Sequence, residues 1–203
     1  NAIQTPPAEA ISQLVNFYNQ GLLVAVVEQA QSLIKQYPQA FVVWNILGAA
    51  NIGLRQTEKA LEAFKKVTEL NPNYADGYIN LGVTLKDQGK IDEAIETYKK
   101  AILLKPDYAE AYNNMGGSFK DQDRLDEALN SYKKATSLNP NYADAYYNSS
   151  FIYNLNRYHA SRLPMDRPLN MGKRSFSYLF VNFVSLGFCL SVSRRGQSIR
   201  RNL

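Results

Sequence analysis

The sequence predicts an all-α fold built from stacked repeats, and three observations carry this prediction. The 203-residue chain resembles itself after every shift of 34 residues. Apolar residues within each repeat recur at three- and four-residue spacing, which is typical of amphipathic helices. Proline recurs near the end of each repeat, where a helix cannot continue. We therefore expect antiparallel helix pairs stacked into a right-handed superhelix, because one pair alone cannot bury its apolar face.

The repeat is clearest in a block of eight residues that occurs three times. Residues 71–78 and 139–146 differ at one position, and 105–112 lies halfway between them. The same shift aligns an aromatic residue, a glycine, an alanine, a second aromatic residue and a proline. These sets are Trp44, Tyr78, Tyr112 and Tyr146; Gly48, Gly82 and Gly116; Ala60, Ala94 and Ala128; Phe64, Tyr98 and Tyr132; and Pro38, Pro72, Pro106 and Pro140.

This pattern resembles the tetratricopeptide repeat (TPR), whose signature is W-x2-L-G-x2-Y, then A-x3-F, then P. Well-matched repeats are predicted at 41–74, 75–108 and 109–142, preceded by a degenerate repeat at 7–40 and followed by a half repeat at 143–156. The predicted TPR solenoid thus covers 7–156. Its first helices are expected to line the concave inner face, where the resemblance implies binding of a protein or peptide.

Within the repeat from 75, the first helix is expected to run to about Gln88 and the second from Ile91 to about Leu104. Glycine tolerates the left-handed conformation that ends many helices, so Gly89 is expected to form the turn between them. We expect Asp123 to take this role in the next repeat at some energetic cost, and Thr57 in the preceding repeat.

The two helices of a repeat are expected to cross closely at small residues. Gly82 on the first helix and Ala94 on the second leave room for a close approach. Tyr78 and Tyr98 are expected to fill the space beside that contact.

A ladder of asparagines is the main candidate for function. The sixth position of the repeats from 75, 109 and 143 holds Asn80, Asn114 and Asn148. An asparagine amide offers both a donor and an acceptor, so it can pair with both polar groups of an extended peptide backbone. The ladder is similar to that in the TPR superhelices of O-linked N-acetylglucosamine transferases, which implies peptide binding along the concave face. The flanking candidate residues are Asn45, Asn113, Lys86, Lys120, Asp87 and Asp121.

Another use of TPR proteins is the carboxylate clamp of chaperone-binding cochaperones, in which Lys and Asn residues hold a C-terminal carboxylate. The clamp's upstream Lys and Asn would fall here on Asn45 and Ala49, or on Ile79 and Val83. Neither pair supplies the residue types that the clamp requires, so the clamp is disfavoured.

Composition argues against catalysis. The chain has one cysteine, Cys189, and one histidine, His159, which excludes a disulfide framework and most thiolate- or histidine-based sites. No glycine-rich phosphate loop or metal-ligand spacing is present, so no cofactor is expected. We expect a non-catalytic scaffold; the alternative is the substrate-recognition region of a truncated larger enzyme of the glycosyltransferase or sulfotransferase type.

The net charge of +5 is unevenly distributed. Residues 1–156 carry 14 basic and 17 acidic residues, whereas 157–203 carry nine basic residues against one acidic residue. A nucleic-acid partner is therefore not indicated for the repeats. The lysine pairs on the second helices, such as Lys99 and Lys100, are expected to form a solvated, salt-bridged outer face. The single cysteine is consistent with the cytoplasm.

The segment 157–203 departs from the repeat pattern. Pro164 and Pro168 fall where the fifth second helix would run, so that helix is expected to be broken. An apolar stretch follows at 176–193, at the lower length limit for spanning a bilayer. Three interpretations stay open: a cap on the open end of the solenoid, a marginal membrane anchor, or an artefactual C-terminus. An uncovered apolar end also predicts self-association.

Overall fold

The structure is a computed structural model that describes residues 5–162, and these residues form nine α-helices and no strand. The helices are α1 (Ala8–Asn19), α2 (Leu23–Gln36), α3 (Phe41–Gly53), α4 (Thr57–Leu70), α5 (Ala75–Asp87), α6 (Ile91–Leu104), α7 (Ala109–Asp121), α8 (Leu125–Leu138) and α9 (Ala143–Arg162). The observed bounds of α5 and α6 lie within one residue of the predicted ones. The predicted all-α repeat fold is therefore confirmed.

A tight turn joins the two helices of each pair, and one residue of each turn has a positive φ. These residues are Gly21 (73°), Arg55 (58°), Gly89 (75°) and Asp123 (59°). The following N–H bonds a carbonyl oxygen five residues earlier, as from Lys90 N to Leu85 O at 2.9 Å, which closes the end of the first helix. The prediction for Thr57 was wrong, because Thr57 is the first residue of α4. The repeat register counted back from Gly89 falls on Arg55.

In α3, α5 and α7, a glycine lies directly against an aromatic ring of the following second helix. An added Cβ at Gly82 would lie 2.5 Å from Cε1 of Tyr98, and one at Gly116 would lie 2.8 Å from Cε1 of Tyr132. Gly48 and Phe64 repeat the contact in the pair α3–α4 at 2.6 Å. Both tyrosine side chains are fully buried. The helices can approach this closely only because the glycine has no side chain.

Successive pairs share a continuous apolar core. One cluster joins α1 to α4 and includes Leu14, Val26 and Val43. A second cluster joins α4 to α7 and includes Val67 and Tyr98. The partly buried Trp44 packs against both clusters. Its indole Nε1 donates a hydrogen bond to the Pro38 carbonyl oxygen at 3.0 Å, which ties α3 to the turn before it.

The chain divides into two compact units, Asn1–Ser149 and Ser150–Leu203, and α9 begins in the first unit. Of the second unit, the structure describes only the residues of α9 up to Arg162. The sequence places the end of the half repeat at 156, and this boundary stays a prediction. The apolar stretch 176–193 and the rest of the C-terminal segment lie outside the described residues.

Candidate functional site

One face of each first helix carries the residues from which function was predicted. Positions 2, 5, 6, 9, 12 and 13 of a helix lie within a single stripe about 120° wide, since each residue turns the helix by about 100°. We call the surface formed by these positions in α3, α5, α7 and the start of α9 the first-helix face. Its polar and charged residues are Asn45, Asp76, Asn80, Lys86, Asp87, Glu110, Asn113, Asn114, Lys120, Asp121, Asp144 and Asn148.

Two ladder asparagines bond an asparagine of the preceding first helix. The Asn80 amide nitrogen donates to Asn45 Oδ1 at 3.0 Å, which links α5 to α3. The Asn148 amide nitrogen donates to Asn113 Oδ1 at 3.1 Å, which links α9 to α7. All four side chains are half-buried. The structure thus brings four of the predicted residues together in two pairs.

The third ladder residue, Asn114, is placed differently. Its side chain is half-buried, and it has no hydrogen-bond partner within residues 5–162. The position that corresponds to Asn45 and Asn113 is occupied here by Ile79, which is buried and cannot accept a hydrogen bond. The amide of Asn114 is therefore left with its donors and acceptor uncommitted.

Charged residues flank the asparagines near the C-terminal ends of the first helices. The Lys86 ammonium lies 3.3 Å from Asp121 Oδ2, so an ion pair joins α5 to α7. Asp87 is exposed and has no hydrogen-bond or ion-pair partner in the described part of the chain. Lys120 is half-buried at the position of α7 that corresponds to Lys86.

Sequence reasoning missed a bond that fixes a carboxylate at the other end of this face. The Tyr108 hydroxyl donates to Asp76 Oδ1 at 2.6 Å. Burial, followed by this hydrogen bond, raises the pKa of Tyr108 well above its usual range. Tyrosine recurs at this repeat position in Tyr74 and Tyr142. An acidic position recurs beside this tyrosine position. This paired recurrence is the sequence signal that could have predicted the bond.

The related Tyr142 lies beside the second asparagine pair. Burial is the main cause of its raised pKa, and the charges of Glu110 and Asp144 add to the effect. A hydrogen bond with Asn113 partly offsets the rise. Asn113 therefore interacts with two neighbours, the Tyr142 phenol and the Asn148 amide.

Two buried phenols lie beneath the first-helix face. The hydroxyls of Tyr98 and Tyr132 are buried and have no hydrogen-bond partner among the described residues. Burial is the largest cause of the raised pKa of Tyr132, which reaches about 12, and the charge of Asp121 adds to it. An added Cβ at Gly117 would lie 3.8 Å from the Tyr132 hydroxyl oxygen and 3.1 Å from the Lys86 ammonium. The Lys86 ammonium therefore lies close over the backbone of Gly117, which is buried.

The second helices present a different, mixed-charge surface. Lys66 pairs with Glu69 at 3.0 Å and Lys99 with Glu96 at 2.7 Å, both between exposed side chains. An open cleft of about 400 Å³ is lined by residues of α4, α5 and α6. These are Lys65, Leu81, Leu85, Asp92, Glu93, Glu96, Thr97 and Lys100. The lining of this cleft thus combines two lysines with three carboxylates.

The described residues offer neither a metal site nor a membrane-spanning helix. Among the side chains that the structure describes, at 5–154, no group of three or more His, Cys, Asp or Glu is placed to hold a metal ion. In the same part of the chain, no helix is both long enough and apolar enough to cross a bilayer. The apolar stretch 176–193 lies outside these residues, so both statements leave it aside.

Comparisons with known proteins agree with this architecture. The family model of the TPR repeat matches residues 56–89, 84–123 and 116–154. A crystal structure of MamA is 23% identical with a TM-score of 0.66, covering 71% of this chain and 85% of MamA. A second MamA structure (MSR-1) is 27% identical with a TM-score of 0.59, covering 66% of this chain and 77% of that one. The TPR protein TTC0263 of Thermus thermophilus is 24% identical with a TM-score of 0.62, covering 71% and 80%. No curated protein matches the sequence significantly.

The helix pairs, their 34-residue period and their shared core define a helical-repeat solenoid. Such folds present extended surfaces to other proteins. The chain contains tetratricopeptide repeats at residues 56–154, as the sequence resemblance predicted. Its repeats make it a protein-interaction scaffold.

Proposed function

We propose that the first-helix face binds an extended peptide segment of a protein partner and that this binding is not coupled to catalysis. The observation that carries the proposal is the arrangement of half-buried amides on successive first helices. The bonds Asn80–Asn45 and Asn148–Asn113 place these amides at the joints between neighbouring first helices, at 3.0 and 3.1 Å. A chain that runs along the face would meet one amide at each repeat.

The amides keep capacity for a ligand even where they bond one another. An asparagine side chain has two N–H donors and an oxygen with two lone pairs. A single bond to a neighbouring asparagine uses one donor of Asn80 and one lone pair of Asn45. The remaining groups can bond the N–H and C=O of an extended backbone. The uncommitted amide of Asn114 would contribute most, since no internal bond must be replaced when the peptide binds.

Removing the ladder amides tests this proposal. The triple variant Asn80→Ala, Asn114→Ala and Asn148→Ala should bind peptides selected from a displayed random library at least about tenfold more weakly, because each lost bond contributes about 0.5–1.5 kcal/mol. Affinity is measured by calorimetric titration of the full chain, and helical content by far-ultraviolet circular dichroism.

A matched triple variant controls for loss of asparagine in general. Asn73, Asn130 and Asn141 are exposed and lie outside the first-helix face. Their replacement by alanine should leave peptide affinity unchanged. Equal affinity of the ladder variant and this control would eliminate the asparagine ladder as the binding site.

Two further expectations remain predictions about the whole protein. Self-association through the ends of the helix stack is suggested by Tyr146 of α9, which is 46% exposed. A cytoplasmic location rests on cysteine usage alone.

A further inference from the structure

Contacts between neighbouring first helices follow a fixed offset of 35 residues. Both asparagine pairs have this offset. The Lys86–Asp121 ion pair has it as well, at 3.3 Å. Because these contacts join positions 6 and 13 of one first helix to positions 5 and 12 of the preceding one, the offset identifies the residue that faces each of these two positions.

Applied to Asp87, the offset points to an apolar residue. Asp87 occupies the same position in α5 that Asp121 occupies in α7. Residue 52 takes the place of the lysine, and it is an isoleucine that is 38% exposed. Asp121 therefore has a counterion on the preceding helix, whereas Asp87 has an exposed aliphatic side chain in that place.

The surrounding charge is negative as well. The first-helix face carries five exposed carboxylates, from Asp76, Asp87, Glu110, Asp121 and Asp144, against two half-buried lysines. One of these lysines is already used by the ion pair with Asp121. An approaching cation is therefore attracted over the whole face, and an approaching anion is repelled.

The negative charge of the first-helix face also acts on a buried polar group beneath it. The Tyr98 hydroxyl is fully buried and has no hydrogen-bond partner within residues 5–162. Desolvation is the main cause of its raised pKa, and the charges of Asp87, Glu110 and Asp121 raise it further. Carboxylates from both α5 and α7 thus act on one point between these helices.

We propose that the peptide bound by the first-helix face is basic, and that one of its Lys or Arg side chains pairs with Asp87 while its aliphatic stem lies on Ile52. This inference rests on the proposed function. Long basic side chains combine an apolar stem with a charged end, which matches an exposed isoleucine next to an unpaired carboxylate. An acidic or uncharged peptide would leave Asp87 without a counterion in a less hydrated site, which is unfavourable.

The first experiment selects peptides without assuming their sequence. A displayed library of random peptides is selected against the immobilised full chain, and each clone is retested on the ladder triple variant to identify clones that depend on the first-helix face. Enrichment of Lys and Arg in those clones over the unselected library is expected. Enrichment of acidic or uncharged residues instead would overturn the basic-peptide inference while leaving peptide binding intact. Absence of any clone that depends on the ladder would overturn the proposed function and this inference together.

The second experiment supplies the missing counterion from within the chain. Ile52→Lys places a lysine 35 residues before Asp87, just as Lys86 lies 35 residues before Asp121. This lysine should pair with Asp87 and so compete with the basic peptide. We expect affinity for a selected basic peptide to fall about fivefold relative to Ile52→Met, which keeps the side chain long and apolar. Identical affinities of these two variants would contradict the assignment of Asp87.

A third variant keeps the test independent of how Ile52→Lys folds. Asp87→Asn removes the carboxylate with little change in shape and should weaken the same peptide by a similar factor. Asp126→Asn, an exposed carboxylate of α8 outside the first-helix face, serves as its control. The difference between them should shrink as salt is raised, because exposed charges are screened. Equal binding by the two variants in low salt would refute the pairing with Asp87.

Discussion

At the scale of single residues, the contact between Gly82 and Tyr98 sets how closely α5 and α6 approach. A methyl group at Gly82 would lie 2.5 Å from a carbon of the fully buried ring, so the packed core would have to shift to accommodate it. The same geometry recurs at Gly48 and Gly116, so the three well-matched repeats share this requirement for a glycine. Helix propensity would favour alanine at this position, so the steric requirement outweighs it.

Replacing Gly82 by alanine should therefore destabilise the protein. We expect Gly82→Ala to lower the free energy of unfolding by about 1–3 kcal/mol, the usual cost of overpacking a core. Chemical denaturation measures it. Val83→Ala is the control, since the adjacent Val83 is 37% exposed and its truncation should change stability by less than about 0.5 kcal/mol. A Gly82→Ala protein as stable as the parent would show that the ring can yield.

Sequence reasoning predicted a close helix crossing at Gly82 with Tyr98 beside it, but not the pairing of asparagines. A small residue and an aromatic residue that recur in one register predict packing within a repeat. The bond from Asn80 to Asn45 depends instead on how one repeat is rotated against the next, and a 34-residue period does not specify that rotation. That Asp87 and Asn114 have no such partner among the described residues could not be predicted, for the same reason.

At the scale of the helical elements, the turns within the pairs differ in how well their residues suit the backbone. Arg55 and Gly89 both adopt positive φ, at 58° and 75°, and both lie in turns closed by the same backbone hydrogen bond. A side chain in this conformation is strained by about 1–2 kcal/mol, whereas glycine is not. The turn before α4 is therefore held in place by the packing of α3 and α4 despite an unfavourable residue.

Arg55→Gly should relieve this strain. We expect it to raise the free energy of unfolding by about 0.5–1 kcal/mol, less than the full strain because glycine also increases the entropy of the unfolded chain. Arg55→Ala removes the same guanidinium but keeps the Cβ, so it should give no such gain. Thermal denaturation of the two variants in parallel measures the difference; a larger gain for alanine would contradict a left-handed turn at residue 55.

The position of this turn also shows a limit of sequence reasoning about elements. Thr57 was expected in this turn because only a glycine marks the turn between two helical patterns, and this turn has none. Gly21 and Gly89 mark their turns, whereas Arg55 gives no local signal. Only the register of the neighbouring repeats places the turn correctly.

At the scale of the whole array, stability should be transmitted from neighbour to neighbour. The core consists of two clusters, one spanning α1–α4 and the other α4–α7, that share the partly buried Trp44. In such a quasi-one-dimensional fold, a defect loosens its own pair and the adjoining pair more than distant ones.

Two matched core truncations test this. Val26 in α2 and Val67 in α4 are both fully buried. Val26→Ala should increase amide hydrogen exchange mainly in α1–α3 and leave α6–α8 protected, because Val26 belongs to the first cluster alone. Val67→Ala should increase exchange mainly in α4–α6. Exchange measured by mass spectrometry with peptide resolution distinguishes the two, and uniform loss of protection in both would indicate a single cooperative unit.

The 35-residue offset has a consequence for how the array can lengthen. An internal duplication of 75–108 would place a copy of Lys86 beside a copy of Asp87, and a copy of Ile79 beside a copy of Asn80. The new junction would thus carry a lysine–aspartate ion pair together with an amide that has an isoleucine as its neighbour. Each tandem copy would therefore add one uncommitted amide, from Asn80, and one carboxylate without a lysine, from Asp76, so affinity for the peptide backbone and for basic side chains would grow together.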